Sequence, residues 1–134
     1  LRFVEKTSLD TVIEQSDIIS LHLPLTDETK YMVDRSFFDK VKKGVIISNT
    51  SRGQIIETEA LLDALKSGKV GGACLDVFEN EKPDHFSNPE KVMYGQLYKM
   101  ENVVLTPHIA GWTHESLQQI AEVLFAKIKA GNHL

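Results

Sequence analysis

Cysteine is almost missing from this sequence. One residue, Cys74, stands among 134, so no disulfide can form within the chain, and a reducing compartment, the cytoplasm, is expected. Basic charge is not in excess either. Fifteen Lys and Arg face 19 Asp and Glu, a formal net charge of −4, which argues against the basic face that a nucleic-acid partner requires. No apolar run reaches the length needed to cross a bilayer, and no signal-peptide pattern is visible. Repeats and low-complexity stretches are lacking as well. What remains is 42% hydrophobic and 25% charged, the profile of one globular unit large enough to bury a core. The sequence starts at Leu1 rather than Met, which fits a fragment or a processed product.

Short apolar runs alternate with amphipathic segments. Asp17 to Leu23, Gly44 to Asn49, Val70 to Val77 and Asn102 to Leu105 read as strands buried on both faces, as in a parallel sheet. Cys74 lies inside the third run and reads as a small buried hydrophobe. Helices are expected between them. Ser8 caps Leu9 to Gln15, Arg35 to Val41 forms a short helix, and Thr58 caps Glu59 to Ser67 with Gly68 as the stop. Lys40 to Lys43 is a solvated helix end. The longest helix starts near Thr113, with Leu117, Ile120, Ala121, Leu124 and Ile128 on one face as core or a domain contact. Asn80 to Met100, carrying Pro83, Pro89 and Gly95, reads as a long polar connection. Strand alternating with helix specifies an α/β fold, a parallel sheet flanked by helices.

Chemistry gathers after the strands. The first runs into His22-Leu23-Pro24-Leu25-Thr26, the second into Thr50-Ser51-Arg52-Gly53. The third is followed by Asp76, Glu79 and Glu81, the fourth by Thr106-Pro107-His108. Ligands of open parallel sheets bind beyond the carboxyl ends of the strands, so these segments meet at one edge. The set suits the reduction of a 2-oxo acid. Arg52 can bind a carboxylate with its planar fork and polarise the adjacent ketone. His108 can supply a proton to the ketone oxygen. Glu81 can fix the imidazole tautomer, although Glu79 lies two residues away and offers the same chemistry.

Three segments carry a resemblance: Asn49-Thr50-Ser51-Arg52-Gly53-Gln54-Ile55-Ile56, Gly72 through Glu81, and Leu105-Thr106-Pro107-His108-Ile109-Ala110-Gly111. In this order they resemble the signatures of the D-isomer-specific 2-hydroxyacid dehydrogenases. The resemblance runs from about Leu9 to Ile128 and implies the second half of a Rossmann-type NAD-binding domain plus the helix after it. It implies a catalytic set of Arg52, Glu81 and His108, with Glu81 favoured over Glu79 by its five-residue offset from Asp76. It implies cofactor contacts at Leu23, Pro24, Thr29, Thr50, Ser51, Arg52, Asp76, His108 and Ala110, with NAD as the cofactor and a small 2-oxo or 2-hydroxy acid as substrate.

The glycine-rich phosphate loop of that family, G-x-G-x-x-G, is not in the sequence, nor is the acidic residue for the adenosine ribose. Both would lie upstream of Leu1, and the substrate domain is missing too. The strand from Asp17 to Leu23 is thereby expected to leave an open edge, which favours self-association, a homo-oligomer, or docking against a complementary segment. Weak cofactor affinity and little turnover are expected of the chain by itself. A dinucleotide fold used as a binding module for a protein partner is the alternative, and a piece without activity of its own is another. His22 reads as a packing residue at a strand end, and His85, His114 and His133 as solvated. Trp112 reads as packing over the substrate or at the domain seam. A zinc site from His108, His114 and Glu115 lacks convergent spacing, so no metal is expected.

Overall fold

The computed structural model describes residues 4–131. Four parallel strands form one sheet in the order β1-β2-β3-β4: β1 (Ile18–Leu21), β2 (Val45–Asn49), β3 (Val70–Leu75) and β4 (Val103–Leu105). Pairing runs Ile18 to Ile46, Ser48 to Cys74 and Cys74 to Val104. The expected parallel α/β architecture is present, with strands shorter than their apolar runs. Asp17 and Val77 flank their strands and lie outside the ladder.

Strands that advance in one direction, joined by crossovers of one hand, put every connecting helix on the same face. Helices α2 (Arg35–Lys40), α3 (Thr58–Lys66) and α4 (Asn88–Leu97) make those crossovers, and α1 (Leu9–Gln15) precedes β1. The core lies between them and the face carrying Ile19, Leu21, Val45, Ile47, Val70, Ala73 and Leu75. Leu61, Leu62 and Leu65 of α3 and Phe37 and Phe38 of α2 fill it from the helix side.

The other face of the sheet is largely uncovered among the described residues. Ile18, Ser20, Cys74 and Val104 are exposed. Burial on both faces, expected from the apolar runs, is therefore not observed, and Cys74 is exposed rather than buried. The reason is periodic. Cys74 falls on the opposite side of the pleat from Ala73 and Leu75, and no helix of the described residues covers that side. Helix α5 (His114–Gly131) buries none of its residues, so Leu117, Ile120, Leu124 and Ile128 form an exposed stripe. No helix is long and apolar enough to cross a membrane.

Two local expectations are corrected. Thr58 is the first residue of α3, not its cap. The cap position is Glu57, whose side chain makes no capping bond. The carboxylate of Glu79, 21 residues on, accepts from the Thr58 N–H instead, placing a negative charge at the helix N-terminus. Asn80 to Met100 is not a loop. It contains a 3-10 turn at Pro83–His85 and then α4. Ser87 and Glu90 form a reciprocal capping box, and Pro89 sits in the first turn, where its missing N–H costs nothing. Tyr94 and Leu97 are buried against the core.

Candidate active site

The strand ends hold shaped turns. After β2, the side chain of Asn49, 1% exposed, builds the first. Its Oδ1 accepts from the Ser51 N–H at 3.0 Å and the Ser51 hydroxyl at 2.9 Å, while its Nδ2 donates to the Arg52 carbonyl at 2.9 Å. These bonds fix the backbone that presents Arg52. The guanidinium donates to the Ser51 carbonyl at 2.6 Å and remains exposed. Gly53 follows because nothing larger fits. A Cβ there would lie 1.9 Å from the Phe78 carbonyl carbon and 2.6 Å from the Glu79 nitrogen. The turn after β2 thus touches the segment after β3.

Asp76 organises the turn that follows β4. It is 3% exposed and accepts from the Thr106 hydroxyl, from Ile109 N–H at 2.9 Å and from Ala110 N–H at 2.9 Å. His108 sits within that clamp at φ 56°, a left-handed conformation that costs a non-glycine residue energy and persists where its surroundings hold it. Burial alone would raise the Asp76 pKa. The hydrogen bonds from Thr106, Ala110 and Ile109 outweigh it, helped by the charge on the His108 ring, and hold the carboxyl below its ordinary 3.8. A lowered folded value means the stabilisation is complete above the unfolded value and is lost as pH falls through the folded one. Asp76→Asn is expected to flatten the acid limb of the stability–pH curve below roughly pH 4. Urea midpoints across that range check this.

His108 Nδ1 and Glu81 Oε2 lie 3.0 Å apart, with side chains 47% and 42% exposed. A carboxylate only accepts, so Nδ1–H donates and Nε2 is left on the opposite side of the ring. Glu81, not Glu79, is therefore the partner of His108. Glu79 is engaged at the N-terminus of α3. One cavity of about 480 Å³ is lined by Arg52, Glu81 and His108 together, with Leu25, Gln54, Phe78 and Lys82. Arg52, Glu81 and His108 thus meet, as the strand-end argument expects.

The residues expected at the cofactor divide into two groups. Thr50 and Pro24 are exposed at strand ends and Leu23 is half-buried. Three others have their polar groups engaged within the chain. The Thr29 hydroxyl donates to the Pro24 carbonyl at 2.7 Å, the Ser51 hydroxyl serves Asn49, and the Ala110 N–H serves Asp76. His22 is exposed and its Nε2 lies 2.8 Å from the Ser20 hydroxyl. Trp112 is 79% exposed. His85 and His114 are exposed, and His133 lies outside the described residues. No metal-binding cluster occurs among the described residues. Asn49, Thr106 and Asn80 were not among the expected site residues. The signal for Asn49 was a polar amide closing a mostly apolar strand.

A parallel α/β sheet whose strand ends carry an arginine and a carboxylate-held histidine defines a Rossmann-type unit with acid–base capacity. Comparison with known proteins names it more closely. Residues 2–110 match the family described as D-isomer specific 2-hydroxyacid dehydrogenase, NAD binding domain, and the chain belongs to that family. A glyoxylate reductase of Thermofilum pendens is 46% identical over 122 residues, covering 90% of this chain and 33% of that protein. A hydroxypyruvate reductase of Thermotoga maritima is 44% identical, covering 93% and 39%. The crystal structure of a D-lactate dehydrogenase from Aquifex aeolicus, complexed with NAD and lactic acid, superposes with a TM-score of 0.77 at 38% identity, covering 92% and 39%. The chain therefore spans little more than a third of the length of such relatives.

Proposed function

We propose that the protein carrying this chain is an NAD-dependent oxidoreductase that interconverts a small 2-oxo acid and its D-2-hydroxy acid. The observation that carries this reading is the Glu81–His108 pair at 3.0 Å, sharing one cavity with Arg52. Arg52 binds the substrate carboxylate with two parallel N–H donors and draws electron density from the neighbouring ketone. His108 holds a proton at Nε2 for the ketone oxygen and takes it back in the reverse direction. Glu81 fixes the ring tautomer through Nδ1 and stabilises the charged imidazole. The nicotinamide, when bound, supplies or accepts the hydride.

The donor set fits the nicotinamide end of that cofactor. Thr50 offers an uncharged hydroxyl at the end of β2, Leu23 and Pro24 offer apolar contact after β1, and Asp76 keeps capacity for a further hydrogen bond beyond the three it accepts. No glycine-rich loop for the pyrophosphate stands in this sequence. Residues 1–134 are accordingly the second half of the cofactor domain and the helix after it, with the substrate domain encoded elsewhere in the parent. Its compartment is the cytoplasm, in keeping with the lone cysteine. Nucleic acid is not a partner, in keeping with the acidic balance. Among the described residues β1 pairs only with β2, and an edge strand of this kind supports a homo-oligomer. A purely recruiting module has less support, since it needs no histidine held by a carboxylate.

The test is NADH oxidation against glyoxylate, pyruvate, hydroxypyruvate and larger 2-oxo acids. The parent protein is expected to turn over at least one of them, and residues 1–134 alone to show little or no turnover. Absence of oxidation with every acid in the parent would refute the reading.

A further inference from the structure

The Glu81–His108 pair rests on a brace that the sequence concealed. Glu81 is the central residue of a turn closed by Asn80, whose Oδ1 accepts from the Lys82 N–H at 3.0 Å. That is an Asx turn, and it fixes the direction in which residue 81 leaves the backbone. The turn is tethered at two further points. Asn80 Nδ2 donates to Glu90 Oε1 at 2.9 Å, and Asn80 N–H donates to the Tyr94 hydroxyl at 3.2 Å. Both partners belong to α4.

Neither anchor is a free surface group. Tyr94 is 1% exposed, stacked on Phe86 at 4.6 Å and met edge-on by Phe78 at 6.1 Å. Its hydroxyl therefore has a fixed position. The Glu90 carboxylate is shared. Oε2 accepts from the Ser87 hydroxyl and N–H at the start of α4, while Oε1 takes Asn80. One side chain thus starts the helix and grips the turn. Across the same turn, Glu81 Oε1 faces the Phe78 N–H at 3.4 Å while Oε2 meets His108. The backbone N–H, Nδ2 and Oδ1 of Asn80 are all engaged, which a solvated loop residue would not require.

We propose that Asn80, anchored by Glu90 and Tyr94 of α4, is a positioning residue that holds the Glu81 turn against His108. The inference rests on the oxidoreductase reading for its kinetic consequence, and on geometry alone for its structural one. Asn80 also lines the cavity shared by Arg52, Glu81 and His108, but its side-chain amide is engaged by Glu90 and the Lys82 N–H. It acts by keeping Glu81 within hydrogen-bond distance of Nδ1, and so by keeping the imidazole oriented.

The experiment uses the full-length parent and five variants: Asn80→Ala, Glu90→Ala, Glu90→Gln, Met93→Ala and Glu81→Gln. Steady-state turnover is measured, along with the pH titration of the His108 ring by NMR on carbon-13 histidine-labelled protein. Asn80→Ala is expected to lower kcat about 10- to 100-fold with KM changed little, because a misplaced partner costs rate more than binding. Its His108 titration should move toward that of Glu81→Gln. Glu90→Ala should do the same to a smaller degree. Glu90→Gln keeps an oxygen for Asn80 and should restore most of the rate. Met93→Ala loosens α4 without touching Asn80, and should lower the melting temperature while sparing kcat. An Asn80→Ala protein with unchanged turnover and unchanged His108 titration overturns the proposal. So does a rate loss no greater than that of Met93→Ala at equal loss of stability. If the parent reduces no 2-oxo acid yet the His108 titration moves in Asn80→Ala, the positioning role stands and the oxidoreductase reading falls.

Discussion

Replacing His108 by Gln in the full-length protein is expected to lower kcat about 10²- to 10⁴-fold, the usual worth of a positioned proton donor. Glutamine can still meet Glu81 through its amide, so the turn clamped by Asp76 has no reason to rearrange. What it lacks is a proton that can leave. NADH affinity, measured by fluorescence titration, should therefore stay within about threefold of the starting protein. Arg52→Ala removes the planar cation from the same cavity and should raise KM for the 2-oxo acid as well as lower kcat. Arg52→Lys should recover only part, since an ammonium cannot make two parallel bonds to a carboxylate. Undiminished turnover in either His108→Gln or Arg52→Ala would remove these residues from the mechanism.

A methyl group at Gly53 is expected to cost about 3 kcal/mol, at the upper end of overpacking penalties. The added carbon would lie 1.9 Å from the Phe78 carbonyl carbon and 2.0 Å from its oxygen. Both are backbone atoms with no rotamer to turn away. The segment from Phe78 to Glu81 must move, and with it the carboxylate that meets His108. Stability and turnover should therefore fall together. Gly95→Ala is the contrast. It lies within α4 with nothing near its missing Cβ, and it should stabilise by about 0.5–1 kcal/mol through helix propensity alone. Urea unfolding of the two variants decides the matter. Equal midpoints would mean that the two strand-end segments are not in contact.

Much of this was legible because periodicity and strand ends are local signals. The four apolar runs located β1 to β4 and pointed Arg52, Glu81 and His108 to one edge. Three things were not legible. The largely uncovered face of the sheet was hidden because Ile18, Cys74 and Val104 are apolar in composition whether or not anything covers them. Helix α4 was hidden because Pro89 and Gly95 are loop signals everywhere except in a first turn or a tolerant helix interior. The work of Asp76 and Asn80 was hidden because such a polar side chain shows its purpose only through its hydrogen-bond partners. The donors to Asp76 lie about 30 residues on, and the acceptors that Asn80 meets, Glu90 and Tyr94, lie on a helix the sequence did not announce.

The sequential strand order bears on how the chain folds. Each strand pairs with its successor in sequence, and paired residues are separated by 25 to 30 positions at every step, so the three loop closures carry nearly equal entropic cost. Nothing need wait for a distant segment to return, and the sheet can grow from one side to the other. Arg52 follows β2, Glu81 follows β3 and His108 follows β4, so the acid–base pair is the last thing such growth completes. A kinetic intermediate lacking the final strand would already possess most of the core and the arginine turn, yet no chemistry at all.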